Sequence, residues 1–334
     1  MRKAFMFFLL SLFLTGSCQK DDSVNNFDAD ISFEVSNNLL NGKQINCIDI
    51  YGERFVAIGS GKDLYLLDGN DQEIYTLGYD IYSLAIASDK SVWIGTSGGG
   101  LGHLSGKKFT WYTNANAGLP RDYVRHVEIS PGGDVWFTSC AFRIGGLGIF
   151  DGEKFEFLTP ENSPLNQNII EDLEIDANGT VYIATTGTVG RTNIYRITNG
   201  SWECLGNEEG TFYWIFSFTV SPSGLIYLVE DFSLSSTMAS NKVYKSKDKG
   251  WETITPEDFP RIGYFSSIKA DKRDYCWLAG SEQESAYLRV FTGKQWINSP
   301  EDLFPEDFIT AIEVDGNNNI WVGTYYNGVF ILNQ

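Results

Sequence analysis

A chain of 334 residues that is 43% hydrophobic and 20% charged, with 34 Gly and only 9 Pro, is neither disordered nor collagen-like. Its formal charge of −18, from 25 Lys and Arg against 43 Asp and Glu, repels nucleic acid and anionic lipid, so no nucleic-acid partner is expected. Aromatic residues, at 15%, suit many short strands joined by tight turns.

In chain order, the N-terminus comes first. Arg2 and Lys3 precede an apolar run from Ala4 to Leu14 that is too short to span a bilayer, the pattern of a secretory signal over residues 1–17. It ends in Leu14-Thr15-Gly16-Ser17-Cys18, which resembles a bacterial lipobox and implies lipidation at Cys18. The following Gln19-Lys20-Asp21-Asp22 is similar to the short tag that sends lipoproteins to the cell surface in one group of Gram-negative bacteria. An outer-membrane lipoprotein is expected, surface-exposed, with a periplasm-facing one as the alternative, touching the membrane through its lipid anchor only. Residues 18–28 read as the lipidated Cys and a polar tether, and residues 29–334 as the folded body. The remaining cysteines, Cys47, Cys140, Cys204 and Cys276, lack metal or redox spacing and read as buried free thiols. Neither a metal nor a cofactor is expected.

From residue 45 onward one block recurs seven times. Its landmark is an aromatic within a short apolar run: Trp93, Trp136, Tyr182, Tyr227, Trp277 and Trp321, with Ala57 in the first copy. The spacing, roughly 36 to 50 residues, is that of a four-stranded propeller blade. Nine residues before each landmark stand Ile48, Leu84, Val127, Leu173, Phe218, Ile268 and Ile312. Twelve before stand Ile45, Ile81, Val124, Ile170, Ile215, Phe265 and Ile309, and the seventh position before is apolar in every copy as well. Alternation at minus nine and minus seven marks a strand, and turns such as Asp176-Ala177-Asn178-Gly179 lead into the landmark strand. A third and a fourth strand complete each blade. Blades that are apolar on both faces must stack until a ring closes, so the fold class is all-β, a single seven-bladed β-propeller.

The last copy stops at its third strand, Val329-Phe330-Ile331-Leu332. The missing fourth strand is expected at the other end, as Ile31-Ser32-Phe33-Glu34-Val35, so that the N-terminal strand completes the last blade and hides an edge.

Trp93-Ile94-Gly95-Thr96, Gly99-Gly100-Leu101, Gly118-Leu119-Pro120, Gly133-Asp134-Val135-Trp136 and Asn319-Ile320-Trp321-Val322-Gly323-Thr324 resemble the two-component-regulator propeller repeat. That family implies an extracytoplasmic ligand-sensor propeller, usually joined to a histidine kinase in glycan-degrading bacteria. Here there is no kinase region and only two histidines. The resemblance therefore implies fold and recognition rather than a reaction.

Irregular loops on one rim are the expected carriers of function. They bring Arg121, Arg143, Arg191 and Arg261, whose guanidinium forks suit carboxylates or sulfates, together with Tyr123, Tyr213, Trp214, Tyr264, Tyr325 and Tyr326, whose rings can stack on sugars or peptide side chains. The same residues can instead pair with neighbouring acids and cap blade ends. Just inside the mouth, Arg125 and His126 sit on the blade beside Glu171 and Asp172, either as a charged pocket or as a satisfied salt-bridge network.

A non-catalytic binding or sensing module follows, for an extracellular small ligand, a glycan by family analogy, or an envelope protein. The alternative is a polysaccharide lyase or hydrolase with His126 as general base at the channel mouth.

Overall fold

The structure is a computed structural model that describes residues 31–141, 144–186, 192–206, 212, 214–230, 241–256, 264–282, 285–304 and 307–334. Among these residues there are seven four-stranded antiparallel sheets, six of them meanders in chain order and the seventh completed by the N-terminal strand, and one four-residue helix, Asn114–Ala117. The first strands of blades 1 to 7 are Cys47–Tyr51, Ile81–Ile86, Val124–Ile129, Ile170–Ile175, Ile215–Val220, Tyr264–Ala270 and Ile309–Val314. Each touches the first strand of the next blade, and the seventh returns to the first, so these strands line the central channel of a closed ring. The expected seven-bladed propeller is what forms.

The side-chain pattern explains the stacking. All seven residues at minus twelve and all seven at minus nine are buried. A gap of three is incompatible with the two-residue period of a regular strand, and the fold resolves it with a β-bulge between the two positions in blades 2 to 7. Trp93, Trp136, Tyr182, Tyr227 and Trp321 each pack into the core shared with the following blade; Trp93, for example, meets Val124, Val127 and Phe137 of blade 3. Burying one such side chain contributes about 1.5–3 kcal/mol, so the core is distributed between blades rather than within them. Two residues past the landmark, Gly95 leaves no room for a side chain. A Cβ there would lie 2.7 Å from the Val124 carbonyl oxygen of blade 3.

Turns between the first and second strands share a device that the repeat pattern above did not include. Six residues before the landmark, Asp271 and Asp315 accept backbone N–H bonds from residues two and four further on, and also take the landmark indole N–H, from Trp277 and Trp321, at 3.1 Å. Asp176 accepts the corresponding two backbone bonds in blade 4.

The ring closes through the N-terminal segment, with one correction. The fourth strand of blade 7 is Val35–Leu39, four residues later than the expected Ile31–Val35; it pairs antiparallel with Val329–Leu332, from Val35 opposite Leu332 to Leu39 opposite Val329, with one register shift between Val35 and Asn37. This register lets Leu39 and Leu40 pack on the core between blades 7 and 1. Phe33 lies before the strand and sets its ring edge-on to Trp277 of blade 6. Ser32 is tied to Gln334 by a pair of backbone-to-side-chain bonds.

Residues 1–30, including Cys18 and the tether, lie outside the described residues. No described helix is long and apolar enough to cross a membrane. Cys47, Cys140, Cys204 and Cys276 are free thiols, as expected, but only Cys140 and Cys276 are buried; Cys47 is half-buried and Cys204 is exposed at the end of an outer strand.

Candidate functional site at the channel mouth

The bulge that reconciles minus twelve with minus nine also builds the site. The two residues between these positions fall where strand alternation is interrupted, and in blades 2, 3 and 5 the first of them, Tyr82, Arg125 or Phe216, stays open to solvent at the mouth. Two overlapping cavities of about 640 and 520 Å³ occupy this mouth and share Tyr82, Arg125, His126 and Glu171. The first extends to Tyr123, Cys140, Ala141 and Ile169, and the second over Asp172, Trp214, Phe216, Ser217, Ser266 and Thr310. Their sizes fall in the range of small-ligand sites.

Both ionic contacts cross from blade 3 to blade 4. The Arg125 guanidinium stands 3.4 Å from the Glu171 carboxylate, and His126 Nδ1 stands 3.4 Å from Asp172 Oδ1. Asp172 is firmly held: it accepts bonds from Ser217 Oγ at 2.8 Å and from the Phe218 N–H at 2.9 Å on blade 5. Burial lowers the pKa of His126 despite the neighbouring Asp172, so the ring is neutral near pH 7. A neutral imidazole that gives its Nδ1 hydrogen to Asp172 leaves Nε2 as a bare acceptor. That atom has no hydrogen-bond partner among the described residues, and neither do Ser83 Oγ, Ser266 Oγ and Thr310 Oγ1, all shut off from solvent around the same opening.

Deeper in the channel, eight residues before the landmark, lies a second polar level. Asp49, Glu128, Glu174, Lys269 and Glu313 come from five different blades. Lys269 Nζ reaches Glu313 at 3.1 Å and Glu174 at 3.8 Å. Asp49 and Glu174 also accept the Ile86 and Val220 N–H groups of the neighbouring blades, both at 2.6 Å, which satisfies inner-edge donors that no strand of the same sheet reaches. Burial pushes Asp49 up to about 6 and Glu174 up to about 7.

Of the residues singled out from sequence, Tyr123, Arg125, His126 and Trp214 line the cavities together. Arg121 adjoins them, its backbone exchanging bonds with Ser139 Oγ. Tyr325 and Tyr326 lie apart from these cavities, as an exposed edge-on ring pair on a blade 7 turn whose N–H groups bond to buried Asp307. Tyr264 opens the first strand of blade 6, paired with Ser281. Arg143, Arg191, Tyr213 and Arg261 lie outside the described residues. Tyr82 and Phe216, 42% and 38% exposed, belong to the site although neither stood out as a binding residue. Their signal was positional: both occupy the same place in the repeat as Arg125 and Glu171. His103 stays away from the channel, stacked on Trp93 at 4.1 Å.

Comparison with solved structures adds the following. The chain is similar to virginiamycin B lyase from Staphylococcus aureus (TM-score 0.70, 16% identity, 90% of this chain and 98% of that one). It is also similar to the extracellular domain of a hybrid two-component system from B. thetaiotaomicron (TM-score 0.65, 17% identity), covering 88% of this chain but 39% of that one. YCF48 bound to D1 peptide matches at TM-score 0.65 and 14% identity, over 89% of this chain and 94% of that one. At such identities the likeness is one of fold. Comparison with curated sequences returned no match. A family profile described as two component regulator propeller matches residues 303–326, which span the approach to the seventh blade and its first two strands. This chain is thus a seven-bladed propeller that carries the two-component-regulator propeller repeat.

Proposed function

We propose that the chain is a non-catalytic recognition module of the cell envelope, held to the outer membrane at Cys18, which binds an extracellular glycan in the channel mouth. The observation that carries this reading is the lining itself. Tyr82, Tyr123 and Phe216, each about two-fifths exposed, stand around one opening whose wall also carries Arg125 and Glu171. Flat apolar faces beside polar groups are what a sugar ring presents in return, since its C–H face stacks on aromatics while its hydroxyls seek partners. The fold likeness to an extracellular sensor domain accords with this reading.

Titration calorimetry of the full chain against a panel of oligosaccharides tests it. Binding to at least one oligosaccharide is expected, weakened about tenfold or more in the Tyr123→Ala, Phe216→Ala double variant. Undiminished binding by that variant removes the mouth as the site. A Cys18→Ser variant should shift the protein from the membrane to the soluble fraction; retention at the membrane would sink the anchor.

One observation favours a second reading, a polysaccharide lyase or hydrolase. His126 lines the mouth with its Nδ1 3.4 Å from Asp172, the residue pair a general base uses. Product released from a polysaccharide by the wild-type chain and not by His126→Ala would replace the binding reading with this one.

A further inference from the structure

We propose that the outer groove between blades 1 and 2 holds an extended segment of a partner protein, which seats a leucine side chain in a cleft there and sets a basic residue about 10 Å further along. This site is separate from the channel mouth. Its origin lies in the connections between blades. Thr76, Thr113 and Thr159 each follow the outer-strand residue that pairs with Leu64, Leu101 or Leu147. After Thr113 and Thr159 the chain turns through Asn116 and Asn162, whose amides donate to the Trp111 and Phe157 carbonyls, and then buries Leu119 and Leu165 between blades. After Thr76 only residues 77–80 precede the next first strand, and Leu77 alone of them is buried. A cleft of about 600 Å³ stays open there, lined by Trp111, whose counterpart Phe157 shares its core with Leu119. The neighbouring interfaces therefore show what such a space accepts: a leucine brought in by another stretch of chain.

The lining favours a protein side chain over a sugar or an ion. It includes Ile74, Tyr75, Tyr79, Phe109 and Trp111, and no Asp, Glu, Lys or Arg. The hydroxyls of Tyr75, Thr76 and Thr113 already donate to Glu73, Asp63 and Asn116, so little is left for the hydroxyls of a sugar. Ile74 and Tyr79 stand 54% and 45% exposed, apolar area that a partner would take from water. The walls are preset, since a Cβ on Gly99 would lie 2.2 Å from the Tyr79 ring and one on Gly102 2.8 Å from the Trp111 ring. Asp71–Thr76, the outermost strand of blade 1, runs past the cleft, and its outer edge pairs with no other described strand. Such an edge offers main-chain groups to an extended polypeptide. At its Asp71 end lies a second cavity of about 390 Å³, where Asp68 and Glu73 pair with Lys90 and Lys107. Asp71 and Asp89 in the same lining are exposed and in no ion pair among the described residues, an excess that a basic residue on the partner would answer.

The test follows the Trp111 indole N–H by nuclear magnetic resonance in the full chain, assigned with Trp111→Phe, during titration with synthetic threonine-rich peptides. Two peptides carry one leucine and one lysine, with the lysine three residues after or before the leucine. At least one is expected to shift the signal saturably, and at least tenfold more tightly than its copy with alanine for leucine. Glutamate in place of the lysine should weaken binding about threefold or more, a difference that shrinks as salt is raised. A variant in which residues 77–80 are replaced by the sequence of residues 114–123 fills the cleft with the chain's own leucine, and should lose the response at an undiminished melting temperature. Tyr79→Ala, at an exposed ring, should lower peptide affinity about fivefold in an otherwise unaltered fold. Equal binding of leucine and alanine peptides, no response at millimolar peptide, or binding that survives the loop replacement would overturn the inference. So would a stronger response of the indole to cello-oligosaccharides than to any peptide. None of these outcomes touches the glycan reading of the mouth.

Discussion

The channel carries charged residues at two levels, and residues of the same kind do different work at each. At the deeper level, Asp49 and Glu174 accept N–H groups from the next blade, and Lys269 bridges Glu174 and Glu313. Those carboxylates are committed to holding the ring together. At the mouth, Asp172 is likewise a latch, yet the residues beside it keep open space, exposed rings and unused acceptors. What separates the levels is the bulge. Below it the strands run regularly and neighbouring blades come close enough to saturate one another; within it, the backbone diverges and leaves a cavity. An acidic side chain in a channel is therefore read by the donors within its reach, not by its charge.

The largest expected effect falls on the deeper level. Lys269→Met removes the counter-ion from four neighbouring carboxylates and should cost about 3 kcal/mol, seen as a lower midpoint in chemical denaturation. A midpoint unmoved would mean that the acids do not depend on Lys269, and the contrast between the levels would lose its basis. Next comes Gly95→Val, which forces a side chain against the Val124 carbonyl and should destabilise by about 2 kcal/mol while widening the mouth between blades 2 and 3.

A smaller effect is read from pH. Glu174 has a folded pKa raised to about 7, so the folded chain holds a proton that the unfolded chain has released. Its contribution to stability is full below the ordinary carboxylate range and is lost as pH rises through about 7. Glu174→Gln should therefore gain on the wild type by on the order of 1 kcal/mol between about pH 5 and about pH 8, followed by thermal denaturation in parallel buffers. A gap between the two proteins that stays constant with pH would place the titration elsewhere. The smallest stability effect belongs to the mouth. Phe216→Ala and Tyr123→Ala should each change stability by less than about 0.5 kcal/mol, because their rings stand in solvent. A larger loss would turn these rings from ligand contacts into structural caps.

The blades were legible because burial repeats with them. Ile45, Ile48 and Trp321 meet in one core, and their equivalents recur at the same spacing in every copy. The latch was legible in its existence but not in its register: Ile31–Val35 alternates apolar and polar residues and Val35–Leu39 does not, yet the second segment pairs, and Leu39 and Leu40 then pack against blades 7 and 1. Arg125 and His126 were found beside Glu171 and Asp172 because adjacent blades hold adjacent copies of one position. Tyr82 and Phe216 stand just inside the mouth by the same positional rule, but their place among the binding residues depends on exposure, which the repeat does not encode. Asp271 and Asp315 were missed because a turn aspartate is common, and its bond to an indole six residues later is a matter of three-dimensional reach.

By itself, then, the order of residues determined the number of sheets, their stacking and the closing of the ring through the N-terminus, because period-two burial and a recurring landmark are properties of a line. Which charges became rivets and which were left around an opening was decided only when seven first strands came together. That outcome depends on distances between blades about forty or more residues apart in the chain, and no local pattern encodes them.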